Sequence, residues 1–189
     1  MDNQIGSIIG YAEFDDKNLN KRKYRYLLGR KWNKNLPQVT FVMLNPSWAD
    51  DTKSDRTIDK CIELAQSWDY GSLEVVNLFA YITPIRNNLK NVDDPIGPDN
   101  NLHIQSATQS AESIIVAWGG GRFPKIMNRN EEVLSLISCK TLYSLVDNRG
   151  NVLTKDGHPR HPRPRRGSIT GRNIFIYNGT SKKINNSIL

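Results

Sequence analysis

Asn45, Asn77 and His161 are the residues of this chain whose types and settings could do chemistry. Asn45 stops an apolar run and is followed by Pro46-Ser47. Asn77 stands inside a second apolar run, Leu73 to Phe79. His161 belongs to the segment His158-Pro159-Arg160-His161-Pro162-Arg163-Pro164-Arg165-Arg166. An asparagine offers a carbonyl acceptor beside an NH2 donor, the pattern that reads a base edge bidentately, and it can also hold a water. A neutral histidine can donate a hydrogen bond to an oxygen that turns negative as a bond breaks. Arginines around it would hold phosphates on either side of a reacting nucleotide. Each asparagine also has a plainer role, Asn45 as a turn residue before proline and Asn77 as an amide bonded to its surroundings, and the sequence leaves both open. Trp118 in an apolar strand and His103 in a helical pattern read as structural.

Other chemistries find little footing. There is no Walker-type phosphate loop, no Gly-x-Gly-x-x-Gly after a strand and no Gly-x-Ser-x-Gly elbow. His158 and His161 are flanked by prolines and lack Cys or Glu partners, so neither a metal nor another cofactor is expected. Cys61 and Cys139 read as buried, reduced thiols. Apolar content of 38% and charged content of 24% suit a folded protein, and no run reaches the length needed to span a bilayer. The start, Met1-Asp2-Asn3-Gln4, lacks the features of a secretory signal, so a cytoplasmic monomer is expected, with no membrane partner. A length of 189 residues matches one domain over 1–189.

The net charge of +7 is concentrated in two places. Lys17 to Lys34 carries eight basic residues and no acid, and Lys155 to Arg172 carries six against Asp156, which leaves the rest of the chain at −6. Two basic segments on an acidic body suggest a polyanion footprint. Lys23 and Arg25 in the first, and Arg163, Arg165 and Arg166 in the second, are expected to meet phosphates.

The elements that must position these residues alternate. Ser7–Phe14 and Tyr24–Trp32 predict an N-terminal β-hairpin. Val39–Leu44, Leu73–Phe79 and Ser113–Trp118 read as strands buried on both faces, the last cut off by Gly119-Gly120-Gly121. Thr141–Leu145 and Asn173–Tyr177 follow as strands. Helices are expected at Thr57–Trp68, capped by Ser54 or Asp55, at Asn100–Ala111 and at Ile126–Ile137. Strand and helix in alternation predict a three-layer α/β/α sandwich with a mostly parallel central sheet. Ligands of such sheets bind beyond the carboxyl ends of the strands, where Asn45, Asn77 and the three glycines fall.

With these residues in hand, the chain resembles the uracil-DNA glycosylase superfamily, its motifs in the same order. Met43-Leu44-Asn45-Pro46-Ser47, Val76-Asn77-Leu78-Phe79, Asp94-Pro95-Ile96-Gly97-Pro98, Ala117-Trp118-Gly119 and His161-Pro162 are more closely similar to an uncharacterised bacterial and phage domain family, over about Tyr24 to Pro164. The resemblance implies a glycosylase-like fold in which Asn45-Pro46 orients the attacking water, Asn77 reads a pyrimidine edge and His161 supports the departing base. Pro46, Ser47, Trp48 and Phe79 would border the base, with Phe79, Trp48 and Tyr81 as candidate stacking platforms. The His loop reads His161-Pro162-Arg163-Pro164, and Arg165 and Arg166 stand where an apolar wedge would; with Asn45 in place of a stronger base, a well-activated leaving group and substrates other than uracil are expected. Asn45 by itself is a poor general base.

The expectation is a DNA glycosylase that flips a nucleotide and hydrolyses the N-glycosidic bond of uracil or a modified pyrimidine, in double- or single-stranded DNA. Base excision in phage or antiphage DNA metabolism would be its setting. The alternatives are a non-catalytic nucleic-acid-binding module and an enzyme acting on free nucleotides or nucleosides.

Overall fold

The apolar runs become a seven-stranded sheet, described here from a computed structural model covering residues 7–165 and 167–176. Arg166, the Met1 start and Tyr177 of the expected last strand lie outside the described residues. The strands are β1 (Ile9–Phe14), β2 (Arg25–Lys31), β3 (Gln38–Met43), β4 (Ser72–Asn77), β5 (Ser113–Val116), β6 (Leu142–Asp147) and β7 (Ile169–Phe175), in the spatial order β1-β2-β4-β3-β5-β6-β7. The central four, β4-β3-β5-β6, pair in parallel. The opening hairpin and β7 add antiparallel pairs on either side, so the parallel sheet expected from the alternation occupies the middle of a mixed one.

Side-chain alternation in β3 divides the core into two layers. Phe41 and Met43 face a cluster completed by Ile58, Cys61, Leu64 and Ala65 of helix α1 (Arg56–Ser67). Val42 and Leu44 face the opposite cluster, closed by Ile104 and Ala107 of α2 (Asn100–Ser110) and by Val133, Leu134 and Ile137 of α3 (Arg129–Ile137). Helices therefore cover both faces. Asp55 caps α1, its Oδ1 accepting from the amides of Thr57 (2.8 Å) and Ile58 (3.0 Å). Burial holds the Cys61 thiol in its protonated form by raising its pKa, whereas Cys139, expected inside, is exposed because it follows the last turn of α3.

Two boundaries differ from expectation for local reasons. Helix α3 begins at Arg129 rather than Ile126, because Ile126 is extended and Met127 and Asn128 hold positive φ values of 54° and 55°. The break delivers buried Arg129 to the exit of β4, where its Nε donates to Leu78 O at 2.6 Å and its guanidinium pairs with Glu132. Strand β7 begins at Ile169 rather than Asn173, paired with Asp147 across a bulge. No helix among the described residues is long and apolar enough to cross a membrane.

A second bulge, in β2, sets the direction of a buried arginine. Glu13 pairs with Leu27 and Phe14 with Arg25, so Tyr26 is an extra residue in β2. Tyr26 stacks on His103 of α2, ring centroids 4.8 Å apart, while Arg25 turns to the α1 face.

Candidate active site

Strand β3 hands the chain to α1 on one face of the sheet, and its neighbour β4 hands it to α2 on the other. The carboxyl ends of these adjacent strands therefore open a crevice. A cavity of about 180 Å³ occupies it, room for a single heterocyclic ring. Its floor is apolar, made by Met43, Ile58 and Val75 of the α1-side core. Its polar groups are Asn45 and Ser47 from the end of β3, Asn77 from β4, Asp55 and Thr57 from the start of α1, Thr83 and Arg86 from the loop after β4, Arg25 from β2, and His161. Asn45, Asn77 and His161 thus meet in one place.

Each is held differently. The Asn45 amide is committed on its nitrogen side, where Nδ2 donates to Thr83 O (2.7 Å) and Pro46 O (2.9 Å), so its carbonyl is the group left for a ligand or a water. The same contacts tie the two strand-end loops together, with Thr83 N on Pro46 O and Phe79 N on Leu44 O. Asn77 is buried, its backbone carbonyl held by Asn100 Nδ2 at 3.0 Å, and its own Nδ2 has no partner among the described residues. A buried amide donor facing a cavity has its partner, a ligand or a water, on the cavity side.

His161 hangs from the loop between β6 and β7. That loop folds back on itself through a bridge between Leu153 and Pro159, and is pinned to the glycine run after β5: Gly119 N donates to Pro159 O at 3.0 Å, Gly121 N to Asp156 Oδ2 at 2.9 Å. A Cβ on Gly119, whose φ is +81°, would stand 3.2 Å from the His161 Cβ, so only glycine lets the loop lie this close. The Arg163 amide donates to His161 Nδ1 at 3.0 Å. The Arg163 carbonyl oxygen lies 3.2 Å from the same Nδ1, so the amide contact fits the tautomer with the ring proton on Nε2 and the carbonyl contact the one with it on Nδ1. Burial first, then the neighbouring Arg86, bring the His161 pKa down to about 4, so the ring is neutral near pH 7. A neutral imidazole with its proton on Nε2 is a hydrogen-bond donor with no charge to neutralise.

The other expected site residues are dispersed. Ser47 lines the cavity; Pro46 is buried behind it and contributes its carbonyl. Phe79 does not line the cavity: the chain leaves β4 after Asn77, and Phe79 packs fully buried on the α2 side of the sheet. Tyr81 joins that same cluster, and Trp48, 72% exposed, stands outside the lining. Arg25 is not a surface phosphate contact, being 3% exposed and part of the cavity wall. Lys23 is exposed, and its carbonyl accepts from Ile82, next to cavity-lining Thr83. Arg163 and Arg165 are exposed beside His161 and Arg86.

Sequence reasoning did not place the three charged groups of the cavity lining in it. Arg86 was hidden in a polar loop without a motif. Arg25 was counted as surface charge, since its direction depends on the bulge at Tyr26. Asp55 was foreseen only as a cap; yet among the described residues it is the one carboxylate lining the cavity, and Oδ1 alone carries the two capping bonds.

Residues 25–163, well over half of the chain, match the family described as "Protein of unknown function (DUF1643)". No curated protein and no solved structure matches the chain.

Proposed function

The chain belongs to the DUF1643 family, and from its cavity we propose that it is a DNA glycosylase, flipping a nucleotide and hydrolysing the N-glycosidic bond of a modified pyrimidine or uracil. The observation that carries this reading is the convergence of Asn45, Asn77 and a neutral His161 on one ring-sized cavity.

In this reading the flipped base enters with its edge against Asn77, whose free NH2 and carbonyl suit a pyrimidine oxygen and its neighbouring N–H. His161 Nε2–H donates to the base oxygen that gains charge as the bond from base nitrogen to C1′ breaks. A water held by the Asn45 carbonyl attacks C1′. Its proton passes to the Asp55 carboxylate, and the electron pair of the broken bond leaves with the base. Asp55 supplies the basicity that Asn45 lacks. Arg163, Arg165, Arg86 and Lys23 around the mouth hold the flanking phosphates. Exposed Trp48 is the aromatic available to stack in the gap that the flipped base leaves.

The test is incubation with single- and double-stranded oligonucleotides carrying a panel of pyrimidines, followed by alkali. Scission at a modified pyrimidine or uracil is expected; intact strands across the panel would refute the reading.

A second reading, a non-catalytic base-binding module, is favoured by the lack of any Phe, Tyr or Trp in the cavity lining among the described residues. It predicts salt-sensitive DNA binding with no scission in the same assay.

A further inference from the structure

Two N–H donors on the cavity wall have no hydrogen-bond partner among the described residues. Asn77 Nδ2, on a residue 1% exposed, and Arg25 Nε, on a residue 3% exposed, are both buried without a partner among the described residues. They stand on neighbouring strands, since β2 pairs with β4 and the bulge at Tyr26 brings Arg25 to the face that Asn77 occupies.

Arg25 differs from the other buried arginines. Arg30 donates to the carbonyls of Gly29, Asp50 and Lys53. Arg129 pairs with Glu132, and half-buried Arg160 with Asp147. Arg25 has a single bond, Nη1 to Ala49 O at 2.6 Å, and no carboxylate within 4.0 Å among the described residues. Asp55 lines the same cavity and acts on Arg25 electrostatically, but it forms no ion pair with it: Oδ1 is given to the amides of α1 and no Asp55 oxygen lies within 4.0 Å of the guanidinium. A buried guanidinium on which the carboxylates of Asp55 and Asp50 act only from beyond 4.0 Å is costly, as is a buried amide donor without an acceptor. One ligand oxyanion set against both would relieve both.

Resting on the base-cavity reading, we infer that Arg25 and Asn77 form a two-donor seat for an ionised oxygen substituent on the base. The ligand class is a pyrimidine bearing a carboxylate, in preference to plain uracil. A planar carboxylate matches the guanidinium fork, and one ring with such a substituent suits the cavity better than a whole nucleotide.

The test is calorimetric titration of the full chain with 5-carboxyuracil, uracil and inorganic phosphate. The seat gives 5-carboxyuracil at least about tenfold tighter binding than uracil, as a charge-assisted bond should, and leaves phosphate weaker than both. In Arg25→Gln the preference falls below about threefold. The wild-type ratio needs no variant, so it decides the matter even where Arg25→Gln does not fold. Equal affinity for the two bases overturns the inference and leaves the base cavity standing. Phosphate binding as tightly as 5-carboxyuracil overturns a base-borne anion. Failure of both bases to bind overturns the inference together with the reading on which it rests.

Discussion

His161 enters the cavity with Nδ1 engaged by the Arg163 amide, and its behaviour with pH follows from that contact and from burial. Its folded pKa of about 4 lies below the 6.5 of an unperturbed histidine, so unfolding takes up a proton between those values. The stability due to a neutral His161 is whole above pH 6.5 and is lost as pH falls toward 4. Wild type should therefore lose more stability between pH 7 and pH 4.5 than His161→Gln, measured by urea denaturation; parallel losses would contradict the assignment. Asp55 allows a test that separates chemistry from folding. Asparagine caps a helix about as well as aspartate, so Asp55→Asn should keep the wild-type urea midpoint while turnover falls by roughly 10²-fold or more. Turnover within about twofold of wild type would leave Asp55 as a cap alone. At this scale the sequence was readable where a residue interrupts a pattern, as Asn45 and Asn77 interrupt apolar runs. It was unreadable for Arg25, because a buried arginine and a surface arginine add the same charge to a count.

Among the elements, three loops and one bulge build the site. The β3 exit loop and the loop after β4 are cross-braced by Asn45. The His161 loop leans on Gly119, and the Tyr26 bulge aims Arg25. Alanine at Gly119 faces both a left-handed φ and a close His161 Cβ, whereas alanine at Gly121, φ +102°, meets nothing within 4 Å. Both substitutions should cost stability, about 1–2 kcal/mol for Gly119→Ala from its backbone conformation. Only Gly119→Ala should also depress activity by displacing His161. Equal activity in the two variants would leave Gly119 with no part in seating His161. The strands and helices were legible because each buries a continuous face with a recognisable period and, in α1, an evident cap. The bulge was not, since an extra residue in β2 is defined only by its pairing with β1. Phe79 was misplaced for a related reason: the strand ends at Asn77, and the face of a residue beyond a strand end cannot be counted by alternation.

For the whole molecule, the two basic segments shrink once folded. Arg25 and Arg30 point inward, Arg22 lies over Phe14, Arg160 pairs with Asp147, and Arg172 stacks on Trp68, Tyr70 and Tyr143. Among the described residues, Arg86 lines the cavity with Arg163 and Arg165 exposed beside it, and Lys23 is exposed on the neighbouring segment that bonds Ile82. With about four phosphates neutralised, log affinity for duplex DNA against log salt should slope near −3 to −4. A slope near −10 would mean that both segments bind along their length. Whether this cavity breaks a glycosidic bond is tested most directly by mass spectrometry of the small-molecule fraction after incubation with DNA rich in modified pyrimidines. A free pyrimidine base is expected, released at a rate lowered about 10²- to 10³-fold in His161→Ala. DNA that stays bound while no free base appears would contradict the proposed cleavage.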